Sequence, residues 1–356
     1  MRDITVLITG SGAPGAPGII KSLRVSNDRS IRVVGVDMKQ DESIGVGLLD
    51  KSYEISKAND PNFIQQIMTI CKKEKVDGII PLVTNELFVF AKNKKKLMDN
   101  GILVSVSDFD KLQIANNKHL LFEFCKKIDV PTPDFRLVKS LSEFKTAAHE
   151  LGYPKQKICF KPPISNGLRG FRIINDSTDR MDNLMNEKPN NVFISFNEFI
   201  QIASESNYFP ELLLMEYLPG DEYSIDALGD GTKCHGVIPR TREKIKMGIS
   251  FVGTTYLDKD LIRHSKTIIE NLGLTGNIGF QFKRDAKGVA KIIESNPRVQ
   301  GTIVLCTAAG YNMVYNAVKI MLGEEPLPFN VNWGTKMIRY WEERYFTSSK
   351  ESFSLE

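Results

Sequence analysis

The residues best equipped for chemistry in this chain are Gln281, in Gly279-Phe280-Gln281-Phe282, and those of Ile292-Ile293-Glu294-Ser295-Asn296-Pro297-Arg298. Two apolar, alternating runs flank Arg284-Asp285-Ala286-Lys287-Gly288, whose turn chemistry predicts a β-hairpin. Side chains alternate faces along a strand, so Glu294 and Asn296 share one face and Ser295 takes the other. The turn brings Gln281 back to about the same level. Gln, Glu and Asn on one sheet face supply the hard oxygen ligands that Mg²⁺ takes, usually shared with phosphates. Arg298 follows directly, a fixed positive fork suited to phosphate. An amphipathic hairpin with its polar side in water fits the same letters, so the rest of the chain must decide.

Three further stretches bear on that choice. Lys161 ends the strand-like Ile158-Cys159-Phe160, and Ser165-Asn166-Gly167-Leu168-Arg169-Gly170 can fold over phosphates with unobstructed N–H donors. The alternative is a surface hairpin with solvated charges. Glu216-Tyr217-Leu218-Pro219-Gly220-Asp221-Glu222 joins two strands. Its extended Tyr217-Leu218 backbone can meet a purine edge and Glu222 can accept from ribose hydroxyls; a charged β-turn is the plain alternative. Gly10-Ser11-Gly12-Ala13-Pro14-Gly15, with Asp37 closing the next strand, satisfies the dinucleotide fingerprint, in which a helix N-terminus holds an anion. Pro14 and Pro17 remove two donors, which favours a loop that holds a substrate carboxylate, or one that is structural, over nicotinamide binding.

Positioning these groups requires a layered α/β chain. Residues 1–112 alternate: strand 4–9, a Gly/Pro loop, helix 19–25, strand 31–36, helix 62–74, strand 78–82, helix 85–96 and strand 102–106. Such alternation implies a parallel, doubly wound sheet with ligands at the C-terminal ends of its strands. A second region begins near Leu112, with a helix around 117–128 before Val130-Pro131-Thr132-Pro133. Strands are expected at 157–162, 170–174, 212–217 and 223–228. Residues 180–210 read as a helix with surface loops. Helices are expected at 258–272 and, unbroken, at 301–322. The tail 334–346, with Trp341, reads as a covering strand or helix.

Bulk properties exclude several classes. A 356-residue chain has room for two or three cores. Lys+Arg 47 against Asp+Glu 43 leaves a net charge of +4, too little to argue for nucleic acid or a membrane surface. Lys92-Asn93-Lys94-Lys95-Lys96 reads as a solvated helix end. No apolar run approaches the roughly 18 residues of a bilayer span, and Met1-Arg2-Asp3 running straight into a strand is unlike a signal peptide. Cys71, Cys125, Cys159, Cys234 and Cys306 are scattered, and His119, His149, His235 and His264 form no HxxxH. A zinc site, a disulfide framework and a nucleophilic triad are therefore not expected, and a reducing cytoplasm fits.

Taken in order, the motifs resemble the ATP-grasp superfamily, in particular an ATP-grasp unit of the carbamoyl-phosphate synthase large subunit. The resemblance rests on Gln281, Glu294-x-Asn296-Pro297-Arg298, Asn117-Lys118 before a helix, Lys161, the glycine loop 165–170, and Glu216 and Glu222. It covers residues 1 to about 325. It implies a Rossmann-like pre-ATP-grasp parallel-sheet domain (1–112), then a two-lobed α+β ATP-grasp domain (113–327, lobes near 120–212 and 213–327) and an extension (328–356). By that resemblance Lys118, Lys161, Ser165, Asn166, Gly167, Gly170, Glu216, Tyr217, Leu218, Glu222, Gln281 and Glu294 hold ATP. Gln281, Glu294 and Asn296 hold Mg²⁺, or Mn²⁺ in its place. Arg298 and Lys161 act in catalysis, and Gly12, Glu86, Arg240 and Arg298 face the substrate. Gln281 stands where many ATP-grasp ligases carry an acid, following the synthase branch.

The chemistry so implied is attack of a carboxylate on the γ-phosphate of ATP, then displacement of phosphate from the acyl phosphate by an amine. An acyl phosphate must be kept from water, so a closing segment is expected, either the loop 165–170 or 240–248, which carries Arg240 and Arg242. Small-molecule carboxylate and amine substrates, and a homodimer, complete the expectation. A kinase that stops at a phosphorylated product, an NAD(P)-dependent oxidoreductase and an idle nucleotide-sensing module are the alternatives.

Overall fold

Runs rich in Val and Ile build the first sheet of the molecule, described here by a computed structural model. It describes residues 1–26, 28–40, 43, 45–165, 167, 169–177, 180–186, 192–246, 249–340, 342–343, 345–348 and 352–353. The chain divides into two compact units. The first comprises Met1–Gln113, Tyr223–Gln281 and Ser295–Glu356; the second comprises Ile114–Glu222 and Phe282–Glu294.

In the first unit, Ile4–Thr9 (β1), Ile31–Asp37 (β2), Lys51–Glu54 (β3), Gly78–Pro81 (β4) and Leu103–Val104 (β5) pair in parallel in the order β3-β2-β1-β4-β5. Helices Ala16–Arg24 (α1), Phe63–Glu74 (α2) and Thr84–Met98 (α3) lie between them, and Phe109–Asn116 (α4) follows β5 and runs across the boundary into the second unit. Strands covered on both faces read as continuous apolar runs, and β1, β2 and β4 are buried almost throughout. One core cluster joins Val6, Ile8, Ile19 and Ile20 to Tyr311, Val314 and Val318, and another joins Leu7, Val34 and Val36 to Phe63, Ile67 and Phe90. Strand order reverses between β1 and β4. The expected strand 102–106 shortens to two residues, because Val106 N turns back to Val104 O.

The second unit holds Lys118–Lys127 (α5), Phe135–Val138 (β6), Leu141–Glu150 (α6), Ile158–Lys161 (β7), Arg172–Ile174 (β8), Arg180–Asn186 (α7), Phe193–Ile194 (β9), Phe196–Glu205 (α8) and Leu212–Glu216 (β10). Its sheet runs β6-β10-β7-β8-β9. Phe144 packs 4.3 Å from Phe199 and 5.6 Å from Phe160, centroid to centroid, at the centre of its core.

Glu222–Asp230 (β11), Cys234–Thr241 (β12), Lys244–Lys246 (β13), Ile249–Thr254 (β14), Lys259–Leu272 (α9), Thr275–Arg284 (β15) and Ala290–Asn296 (β16) follow. Four of these strands form a sheet in the order β12-β11-β15-β16. Val304–Ala308 (α10), Met313–Met321 (α11) and Lys336–Ile338 (β17) close the first unit, with β17 antiparallel to β14.

Two expectations are corrected here. The helix expected over 301–322 is two helices: Gly310 takes φ +103°, and the Asn312 side chain restarts the chain as α11 by accepting from Tyr315 N at 3.0 Å. The described part of the stretch 240–248, residues 240–246, is mostly strand rather than loop. Arg240 and Thr241 end β12, and residues 244–246 pair antiparallel with β14. Met247, Gly248 and Trp341 lie outside the described residues. The tail does supply a covering strand, β17, although Ile338 stays 67% exposed. Among the described residues, no helix is long and apolar enough to cross a membrane.

Candidate functional site

In the second unit the chemistry gathers where α5 begins and β7 ends. Asn117 caps α5 by accepting from His119 N and Leu120 N, which sets Lys118 as the first helical residue. Lys118 N donates to Pro163 O, and its Nζ donates to Ser165 O, both at 3.0 Å. Lys161, last in β7, donates from Nζ to Ile293 O at 3.2 Å. Glu294 Oε2 lies 3.5 Å from Lys118 Nζ and 3.7 Å from Lys161 Nζ. Both lysines are buried. Burial pushes the Lys118 ammonium down to about 8, with the Glu294 charge working against that shift and the Lys161 charge adding to it. Two buried cations thus share one carboxylate, an arrangement that a bound anion would balance.

Burial along β16 alternates from Glu294 to Asn296 and slips before that, with Ile293 and Glu294 both half-buried. Ser295 is buried and its Oγ has no partner among the described residues, while Glu294 and Asn296 are half-buried. Gln281 on β15 is half-buried between the buried Phe280 and Phe282. At the 216–222 segment the Glu216 carboxylate is already engaged: Oε1 accepts from Asp134 N at 2.9 Å and pairs with Lys291. Tyr217 N donates to Lys157 O, Leu218 is buried, and Lys283 Nζ lies 5.3 Å from the centroid of the Tyr217 ring. Glu222, half-buried, opens β11. In the glycine loop, Ser165 Oγ donates to Pro162 O at 3.3 Å, and Gly167 and Gly170 take φ +64° and +73°. Asn166 and Leu168 lie outside the described residues.

In the first unit the candidates surround the C-terminal ends of β1, β2 and β4, where an open α/β sheet binds ligands at its switch point. Thr9 donates its hydroxyl to Glu86, which is 8% exposed in the first turn of α3. Burial pushes the Glu86 carboxyl up to about 7; the Thr9 hydrogen bond opposes the shift and the Asp37 charge adds to it. Arg298 donates from Nε to Thr84 Oγ1 at 3.1 Å and from Nη1 to Val299 O at 2.9 Å. Gly12 N donates to Asp37 Oδ2 at 2.8 Å, so the acid that could have held a ribose closes the loop instead. At Gly15 a Cβ would stand 2.2 Å from Gly301 Cα, so this glycine serves close packing. Arg240, wholly buried, donates from Nε to Asp226 Oδ2 at 2.7 Å, and its Nη2 has no partner among the described residues. Arg242 Nη1 donates to Ser224 Oγ at 3.0 Å.

The nucleotide candidates other than Gln281 therefore fall in the second unit, and the substrate candidates in the first. Sequence reasoning missed Thr9, Thr84, Asp226, Lys283 and Lys291. Lys283 and Lys291 had a signal, since strand alternation places Lys283 with Gln281; the others take their meaning from strand pairing.

Residues 208–341 match the family described as ATP-grasp in the biosynthetic pathway with Ter operon, and residues 6–105 match the PylC-like N-terminal domain. The carbamoyl phosphate synthase large chain of Clostridium acetobutylicum is 26% identical over 275 residues, 74% of this chain and 24% of the relative. The chain thus spans about a quarter of the length of such curated relatives. Among solved structures, the ADP complex of N5-carboxyaminoimidazole ribonucleotide synthetase superposes with a TM-score of 0.68 at 15% identity, covering 92% of this chain and 79% of that one. The biotin carboxylase domain dimer of Hydrogenobacter thermophilus 2-oxoglutarate carboxylase, complexed with MgADP, ADP and bicarbonate, gives 0.66 at 20% identity, covering 93% and 72%. At these identities the likeness to solved structures is one of fold.

Proposed function

We propose, from the match of residues 6–105 to the PylC-like N-terminal domain and of residues 208–341 to an ATP-grasp family, that the chain is an ATP- and Mg²⁺-dependent ligase that activates a carboxylate as an acyl phosphate and joins it to an amine. The observation that carries the reading is the pair of buried lysines, Lys118 and Lys161, sharing the single carboxylate of Glu294. Such a site gains by taking in phosphate oxygens.

Lys118 and Lys161 hold the phosphates, and the loop carrying Ser165, Asn166, Gly167 and Gly170 covers them. Tyr217 and Leu218 offer backbone to the base. The Glu216 carboxylate, tied to Lys291 and Asp134, stiffens that segment, and Glu222 takes the ribose. Gln281, Glu294 and Asn296 on β15 and β16 are oxygen donors of the kind Mg²⁺ accepts, and Mn²⁺ is proposed as a substitute. The ion, when bound, neutralises phosphate charge. Gly12, Glu86, Arg240 and Arg298 receive the substrate, with Arg298 fixed by Thr84 so that its fork meets an anion in one orientation. Phosphoryl transfer asks mainly for positioning and charge neutralisation, which these groups supply.

The MgADP complex and the dimeric state of the Hydrogenobacter biotin carboxylase domain support Mg²⁺ and a homodimer for this chain as well; the cytoplasm is the proposed setting. The test is ADP release from the purified protein across a matrix of carboxylic acids and amines, with hydroxylamine as universal acceptor. Hydroxamate should form with at least one acid. No binding of Mg-ATP at millimolar nucleotide by calorimetry would refute the proposal.

A further inference from the structure

Glu86 is a buried site acid that no cation pairs with among the described residues. It is 92% buried by residue surface, being 8% exposed. Its side chain accepts from two neutral donors, the hydroxyl of Thr9 and the backbone N–H of Val83 at the start of α3. Among the described residues no Lys, Arg or His pairs with it, and the nearest ionisable neighbour that acts on it, Asp37, carries the same sign. The groups facing it come from three elements: Thr9 at the end of β1, Asp37 at the end of β2, and the start of α3, where Val83 offers its backbone N–H and Thr84 holds Arg298. These meet at the switch point of the parallel sheet, the place where this topology binds ligands. A buried carboxylate without a cation, seated in a ligand crevice, calls for a cationic ligand.

Building on the ligase reading above, we propose that Glu86 binds the amine substrate as its ammonium ion and removes its proton before ligation. The ammonium R–NH₃⁺ gives one proton to the Glu86 carboxylate, leaving neutral R–NH₂ and Glu86–COOH. The nitrogen lone pair then attacks the acyl carbon of the acyl phosphate. The C–N bond forms and the C–O bond to phosphate breaks, its electron pair leaving with inorganic phosphate. The second amine proton goes to that phosphate, and Glu86 returns its own proton to water. No oxidant or further reactant is needed. A carboxyl that titrates near neutrality suits proton transfer at physiological pH. The Thr9 hydroxyl, donating to the anion, steadies the charged form until the ammonium arrives.

The test compares two acceptors on one activated acid. A panel of carboxylic acids is first screened with hydroxylamine, which is already neutral at pH 7 and needs no base. The acid that supports ADP release is then assayed with ammonium chloride and glycine, which are protonated there. Glu86→Gln should raise the ratio of hydroxylamine to ammonium reactivity by about 100-fold or more, with Glu86→Asp partly restoring the original ratio. An unchanged ratio in Glu86→Gln, whether both rates fall together or neither falls, overturns the inference and leaves the ligase reading standing. A wild-type protein that releases no ADP with any acid removes the ligase reading itself, and this inference with it. Should Glu86→Gln not fold, Thr9→Val serves instead. Losing its hydroxyl disfavours the Glu86 anion and should shift the acidic limb of the ammonium-dependent rate to higher pH, while the limb measured with hydroxylamine stays put. An unmoved limb in Thr9→Val overturns the inference equally.

Discussion

Glu294→Gln should weaken the second unit where Lys118→Met does not, although both stop turnover. Glu294 Oε2 lies 3.5 Å from Lys118 Nζ and 3.7 Å from Lys161 Nζ, and the two lysine side chains are 4% and 11% exposed. Replacing the carboxylate by an amide keeps the shape and removes the one negative charge that pairs with these two buried cations among the described residues. Breaking a buried pair by deleting one partner costs about 3–5 kcal/mol. Glu294 keeps 19% of its side-chain surface, so solvent screening brings the expected loss toward about 2–3 kcal/mol. Lys118→Met does the opposite bookkeeping of charge: it leaves Lys161 and Glu294 as one cation and one anion. The ammonium it deletes is one that burial already disfavours. Its hydrogen bond to Ser165 O, worth about 1 kcal/mol, is the main loss, so the net change should stay within about 1 kcal/mol of zero.

The two units need not unfold together, so a whole-protein melting temperature is the wrong readout. Native-state hydrogen exchange of the α5 and β7 amides reports the second unit directly. Exchange should accelerate by about 30-fold or more in Glu294→Gln and by less than about 5-fold in Lys118→Met. The double variant should recover part of the loss, since one cation then faces a neutral amide. Turnover, read as ADP release, should fall by about 100-fold or more in all three. A Lys118→Met protein as destabilised as Glu294→Gln would refute the charge argument, because the triad would then be an ordinary structural network.

Other outcomes follow from the first unit. Glu86 titrates near 7 when folded against 4.5 when free, so the folded chain holds that proton more tightly. The penalty for ionising it is absent below about pH 4.5, grows up to about pH 7 and persists above. Glu86→Gln should therefore stabilise the protein by up to about 3 kcal/mol at pH 8 and not at pH 4.5, as urea midpoints at the two values will show. Gly15→Ala sets a methyl 2.2 Å from Gly301 Cα and should cost about 1–3 kcal/mol, with a raised KM if the shift reaches Arg298. Asp226→Asn strips the partner from wholly buried Arg240 and should cost about 3–5 kcal/mol, whereas Asp226→Leu with Arg240→Met should recover most of it in the same urea series.

The elements that carry the site were legible where one local rule sufficed. Period-two alternation put Glu294 and Asn296 opposite Ser295 without knowledge of any neighbour, and the helix expected around 117–128 is α5, whose cap, Asn117, is itself a local signal. Reading failed where meaning came from pairing. Residues 240–246 carry charge at every second position, Arg240, Arg242, Lys244 and Lys246, which looks like a solvated loop. That period is also a strand's. What makes Arg240 a core residue is β11: Ser224 lies opposite Arg240 and Asp226 opposite Ile238, so the Asp226–Arg240 bond is a diagonal cross-strand contact. No property of 240–246 alone contains Asp226. The break at Gly310 was different, since a glycine followed by Asn312 is a stop and a start written locally, and a continuous apolar pattern on both sides hid it.

Charge balance separates structural from functional buried polar groups in this chain. Arg29 and Lys319, buried side chains, face Glu324 and Asp28, two against two, with Arg29 and Glu324 at 2.5 Å and Lys319 at 3.6 Å from Asp28. Arg240 and Asp226 balance one to one. Neither set carries an excess of charge, although Arg240 keeps Nη2 without a partner among the described residues. Among the described residues the second unit, by contrast, keeps two buried lysines on one glutamate, and the first keeps a buried glutamate that no cation pairs with. The excess is positive where phosphate is proposed and negative where the amine is proposed. Folding alone would not select either imbalance, since each raises the free energy of the unliganded protein, whereas an anionic nucleotide and a cationic amine would each remove one. Mg-ATP should accordingly slow hydrogen exchange in α5 and β7, and the amine should protect the first turn of α3. Protection of α3 by nucleotide alone, with none in α5 or β7, would contradict this assignment of charges to ligands.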